Sequence, residues 1–184
     1  MAALDPQLNP PLAGPGRRPG WRFVFSHPAH ALALGFGSGL APLAPGTAGT
    51  LLAWAVYALL PAAFGDVARG AALAAAVLVG WWACTVTARH LGQSDPSVIV
   101  WDEIVSFWLV LWLVTPSSWL LQAVAFALFR FFDAAKPGPI AWADQRFKPR
   151  PGRPIGWAQG FGILVDDVAA AACTLLLIAL WRFA

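Results

Sequence analysis

The chain has 184 residues, of which 59% are hydrophobic and only 11% charged, against roughly 25% charged in an average soluble domain. With a mean hydropathy of +0.64 and with 11 Trp and 12 Phe, this composition excludes an ordinary soluble protein. It predicts an all-α, polytopic helical bundle embedded in a membrane. The net charge of +3 is scattered among apolar runs, too weak for a nucleic-acid footprint, so no nucleic-acid partner is expected.

Residues 1–22 are rich in Pro and Gly, carry Arg17, Arg18 and Arg22, and lack an apolar run followed by a small-residue cleavage site. They read as a disordered cytoplasmic tail rather than a signal peptide, leaving 23–184 as one membrane-embedded domain. From Phe23 to Gly65 there is no Asp, Glu, Lys or Arg, but the first half is broken by Gly35, Gly37, Gly39, Pro42, Pro45 and Gly46. Thr47 to Phe64 is regular enough to span. Residues 65–69 form a short link, and a second span runs from about Gly70 to Ala88, closed by Arg89 and His90.

Cys84 and Cys173 lie in apolar runs with no Cys or His at ligand spacing, which predicts buried thiols rather than a disulfide or a zinc site. Cys84 and Arg89 are one residue short of a C-x5-R phosphatase loop.

Ile104 to Phe129 is 26 residues without a charge, about 39 Å of helix against a hydrocarbon core of about 30 Å. Thr115-Pro116-Ser117-Ser118 predicts a turn that divides it; the alternative is one long helix kinked at Pro116. Each half must then extend outward, to about Ser97 and about Ala134, drawing Asp102, Glu103, Arg130 and Asp133 to the bilayer edge. Residues 136–160 form a basic, Pro-rich cytoplasmic loop with room for a short interfacial helix around Trp142. The last apolar run, Val168 to Leu180, must begin near Gly162 to span, which places Asp166 and Asp167 in its first turns.

Five spans result. Ten of the 12 Lys and Arg then fall on the side of the N-terminal tail, leaving Arg69 and Arg182 on the other; the positive-inside rule makes the first side cytoplasmic. Gly35 to Thr47, Asp102 with Glu103, Arg130 to Lys136, and Asp166 with Asp167 all converge on the cytoplasmic face.

Ionisable groups inside spans cost about 2.5–3.5 kcal/mol each on insertion scales. Five carboxylates therefore demand compensation beyond Arg130 and Lys136, and a divalent cation supplies it. An all-oxygen donor set suits hard Mg²⁺ better than zinc, and a metal there could screen a phosphate and polarise a water or ester. Arg130 with Asp133, and Asp133 with Lys136, are i, i+3 neighbours, although Pro137 predicts the helix end. The simpler alternative for each acidic pair is a carboxylate offsetting a helix dipole, and for Arg130 a snorkelling stop signal. The Gly35–Gly39 and Pro45-Gly46-Thr47 segments could offer backbone N–H groups and hydroxyls to a phosphate.

These segments carry a resemblance. GFGSGLAPLAPGTAGTL (35–51), VWDE (100–103), FRFFDAAKPGPI (129–140) and GFGILVDD (160–167) resemble, in order and spacing, the phosphatidylglycerophosphatase A family, over about residues 28–175. The resemblance implies a multi-pass protein of the bacterial inner membrane, with its active site on the cytoplasmic side. It implies Mg²⁺-dependent hydrolysis of phosphatidylglycerophosphate to phosphatidylglycerol and phosphate, in glycerophospholipid biosynthesis. Asp102, Glu103, Asp133, Asp166 and Asp167 fall on its polar motif positions as catalytic and metal-binding residues. Arg130 and Lys136 fall on them as phosphate-binding residues, with Ser38, Thr47 and His30 also placed at the phosphate. The expected partner is a phospholipid in the bilayer, with no obligate protein partner evident. One departure is a longer basic insertion, 147–159, ending in Gln159-Gly160 where the family has a Gly-Gly pair. The rival class is a non-enzymatic cation transporter or channel using the acids as an ion site, which should bring polar groups from both faces to a midplane.

Overall fold

The computed structural model describes residues 18–59, 65–136, 138 and 155–183, all helix, turn or loop with no strand among them. Three short pieces lead in: α1 (Trp21–Val24), α2 (Pro28–Ala33) and a 3-10 segment (Gly35–Leu40). Five longer helices follow: α3 (Pro45–Leu59), α4 (Asp66–Leu91), α5 (Trp101–Val114), α6 (Trp119–Ala135) and α7 (Trp157–Phe183). Two of them, α4 and α7, are long and apolar enough to cross a membrane.

Local chemistry sets the ends. His27 caps α2 by accepting the Ala29 N–H at 3.1 Å, and Pro28 fills the first helical position, where no N–H is needed. Gly92 closes α4 in the left-handed conformation. Ser118 caps α6, so the charge-free run does split at Thr115–Ser118. Asp66 to Arg69 belong to the first turn of α4 rather than to a link, because nothing in Asp-Val-Ala-Arg breaks a helix and an Asp66–Arg69 ion pair at 3.6 Å spans that turn. Trp21 and Arg22, grouped by composition with the tail, open α1. The region around Trp142 lies outside the described residues.

Central in the bundle is α5, packed on α3, α4, α6 and α7. Its Ile104, Phe107, Val110 and Leu111 are buried, and the Phe107 ring meets Trp54, Phe126 and Phe129. Indole N–H groups find acceptors on neighbouring helices: Trp101 on the Ala76 carbonyl, Trp108 on the Ala53 carbonyl, and Trp54 on Gln122. Such internal satisfaction is what an apolar solvent requires. Leu51, Leu78, Leu113, Leu120, Phe131 and Leu176 face outward, giving the bundle an apolar exterior.

Close backbone approach fixes two crossings. A side chain at Gly80 would collide with the Trp101 ring, and one at Gly160 with the Thr85 hydroxyl. Gly160, in the segment that departs from the family pattern, thus seats α7 against α4.

Candidate active site

The N-terminal ends of α3, α5 and the C-terminal end of α6 meet at one end of the bundle. Asp102 and Glu103 occupy the first turn of α5, which begins at Trp101 rather than at about Ser97. The residues before Trp101 are held otherwise: Val100 donates its N–H to the Ala33 carbonyl, at 2.9 Å. Asp166 and Asp167 lie well inside α7, which starts at Trp157 rather than near Gly162. Offsetting a helix dipole therefore fails as an account of that pair, since the effect fades beyond the first turn.

Asp102, Glu103 and Asp167 each present a carboxylate oxygen, and these oxygens lie within 4.8 Å of one another. Asp102 Oδ1, Glu103 Oε2 and Asp167 Oδ2 are buried with no hydrogen-bond partner among the described residues. Three carboxylates gathered with orphaned oxygens are mutually repulsive and poorly solvated. A bound cation resolves both problems, and the all-oxygen donor set fits a hard divalent ion. Asp133 reaches the same cluster beside Asp167.

Two cations border the acids. Arg130 Nη1 lies 2.6 Å from Asp133 Oδ2 and 3.6 Å from Glu103 Oε1, so the i, i+3 pairing of Arg130 with Asp133 forms. Lys136 forms an ion pair with Asp166 Oδ2 across to α7, at 2.5 Å. Pro137 disfavours α-helix at the residue before it, and Lys136 takes the left-handed conformation at φ 42° and ends α6.

Gly46 is the contact that spacing alone does not reveal. A Cβ here would collide with Glu103 Oε1 and come within 3.0 Å of both Arg130 Nη atoms. The first turn of α3 therefore abuts the site through bare backbone, with Thr47 beside it. Pro45 starts that helix, two residues earlier than Thr47, and its early N–H groups have no helical acceptors. Ser38 Oγ is buried with no hydrogen-bond partner among the described residues, in the 3-10 segment against which α3 packs.

His30 lies on α2 and faces α4. It is 1% exposed, stacks on Phe23 with ring centroids 4.0 Å apart, and bonds the Phe23 carbonyl at 3.0 Å and His90 Nδ1 at 2.7 Å. Because the carbonyl only accepts, Nδ1 of neutral His30 carries the proton and Nε2 accepts from His90. Burial pushes the His30 pKa down to about 4, with His90 and His27 adding to the effect against the Phe23 bond. All three histidines of the chain thus gather between α2 and α4, a cluster that sequence spacing did not signal. Cys84 is fully buried, as its apolar run predicts, whereas Cys173, expected to be buried too, is only half-buried.

The described residues form an all-helical bundle with an apolar exterior, two helices long and apolar enough to cross a membrane, and an acidic cluster that could hold a cation beside Arg130 and the start of α3. The family model for phosphatidylglycerophosphatase A matches residues 31–182. The chain belongs to that family, and it is an enzyme of the phosphatase class. Relatives named phosphatidylglycerophosphatase A occur in Escherichia coli, 35% identical over 81% of this chain and 80% of that protein, and in Haemophilus influenzae, 38% identical over 83% and 87%. A Bacteroides thetaiotaomicron protein named "Putative phosphatidylinositol-3-phosphatase" is 38% identical over 81% of this chain and 90% of its own length. No solved structure matches.

Proposed function

We propose that this enzyme removes the terminal phosphate of phosphatidylglycerophosphate, giving phosphatidylglycerol, with Mg²⁺ held by Asp102, Glu103 and Asp167. The carrying observation is the gathering of Asp102, Glu103 and Asp167, which bring carboxylate oxygens within 4.8 Å of one another and each keep a buried oxygen with no hydrogen-bond partner among the described residues, beside Arg130 and the start of α3. The bundle lies in the bacterial inner membrane as five spans, with this end cytoplasmic, as the distribution of Lys and Arg supports. Its lipid substrate arrives through the bilayer and needs no protein partner.

The division of labour follows from charge. A bound Mg²⁺ would supply Lewis-acid stabilisation to phosphoryl oxygens. Arg130 offers a planar fork to a phosphate, and Asp133 holds that fork in place through the 2.6 Å contact. Gly46 and Thr47 present backbone N–H groups at the start of α3, where a dianion is favoured, and the Thr47 hydroxyl adds a donor. Lys136, held by Asp166, adds positive charge on the α7 side. In the reaction water attacks phosphorus, the P–O bond to glycerol breaks and the departing oxygen takes a proton. Polar groups concentrated at one end suit surface hydrolysis of a headgroup better than transport through a midplane site.

Phosphate release from purified phosphatidylglycerophosphate, with Mg²⁺ and then with excess chelator, tests this directly. Turnover that needs the metal supports the reading; full activity in chelator, or preference for phosphatidylinositol 3-phosphate, overturns it.

A further inference from the structure

The central helix α5 runs only from Trp101 to Val114, about 21 Å, against about 30 Å for the hydrocarbon core. What covers its N-terminal end is the segment 18–44. Val100 bonds the Ala33 carbonyl at 2.9 Å, and Gly39 sits so close to the Val98 carbonyl that a side chain would collide with it. Beside them α4, about 39 Å long, continues past, and α2 packs along its last turns through Thr87, which donates to the Ala29 carbonyl at 3.2 Å. The segment therefore occupies the depth that α5 leaves unfilled, level with the bilayer boundary.

Its outward chemistry matches that depth. Trp21, Phe25, Phe36 and Leu43 are 59%, 68%, 57% and 85% exposed. The Trp21 and Phe25 rings stack at 6.0 Å, and Trp21 lies over Gly37, whose φ of +108° and lack of a side chain make room for it. Arg22 is exposed, and Arg18 is fastened by a 3.0 Å bond to the Pro42 carbonyl. Aromatic rings beside arginines are the signature of a headgroup layer. Water is a poor solvent for four large apolar side chains in so short a segment.

We propose that segment 18–44 is an interfacial strap, seated by Trp21, Phe25, Phe36 and Leu43 in the headgroup–acyl boundary of the bilayer that the bundle spans, with Arg18 and Arg22 toward anionic headgroups. This rests on the membrane reading of the bundle. It places the strap at the edge of the site, because the chain passes directly from it into Pro45 and Gly46.

The full chain in nanodiscs containing phosphatidylglycerol, with Cys173→Ala, carries single spin labels at Phe36→Cys, Leu43→Cys, Leu51→Cys on the outer face of α3, or Gln93→Cys in the loop after α4. Collision rates with oxygen and with a water-soluble nickel chelate report depth. The strap predicts oxygen-to-nickel ratios at residues 36 and 43 several-fold above that at 93 and below that at 51. If 51 reads as lipid while 36 and 43 match 93, the strap is overturned and the bundle reading stands. If 51 itself matches 93, the bundle reading fails and the strap with it. Low collision with both probes at 36 and 43 means a protein covering, which also overturns the proposal.

Discussion

Arg130 touches Asp133 and approaches Glu103, while Asp102, Glu103 and Asp167 keep buried oxygens with no hydrogen-bond partner among the described residues. A carboxylate-to-amide change therefore preserves shape and removes the charge that would hold a cation. Asp102→Asn and Asp167→Asn should lower phosphate release in Mg²⁺ by at least about 10²-fold, at the scale of losing a major electrostatic group, while the protein stays in the membrane. Asp66→Asn, at the far end of α4 with its side chain 84% exposed, should leave turnover unchanged. Near-parental rates in both site variants would remove the proposed site. Gly46 provides an independent probe, since even a methyl group there meets Glu103 and Arg130. Gly46→Ala should cost most of the turnover, whereas Gly65→Ala, where nothing lies within 4 Å, should be neutral; equal behaviour of the two would deny the close approach.

At the scale of elements, α2 is held to α4 by neutral histidines. His30 titrates near 4 when folded and near 6.5 when unfolded, the shift coming first from burial. The unfolded chain therefore binds the extra proton between those values, so this contribution to stability is full above about pH 6.5 and falls as pH drops toward 4. Thermal unfolding in detergent should show Tm decreasing from pH 7.5 to 5.5, and His30→Gln should flatten that dependence. An identical slope in parent and variant would mean that the pair does not couple to folding. Lys136 stands at an element boundary: it ends α6 in the left-handed conformation, and its ammonium pairs with Asp166 on α7.

For the whole molecule, the five-span arrangement can be read by labelling. Asp66→Cys and Ser118→Cys should react with impermeant reagent from one side of sealed vesicles and Gln93→Cys from the other. Reaction of Ser118→Cys from the side of Gln93 would refute the topology. Recovery of the chain from the soluble fraction would refute the membrane setting altogether.

Composition and charge-free run lengths determined an all-helical bundle, and the break at Thr115–Ser118 was legible because Pro and Ser cannot continue a helix cheaply. The acids and Arg130 were legible too, since ionisable groups next to apolar runs are costly and stand out against them. Tertiary structure alone decided which of them meet. Asp167 lies 64 or more positions along the chain from Asp102 and Glu103, and only the packing of α7 on α5 closes that distance. The left-handed turn at Lys136, the bare backbone of Gly46 against Glu103, and the gathering of three histidines are likewise outcomes of packing. The reason is that apolar periodicity specifies which face of a helix turns inward, while the register and angle at which faces meet depend on every neighbour at once.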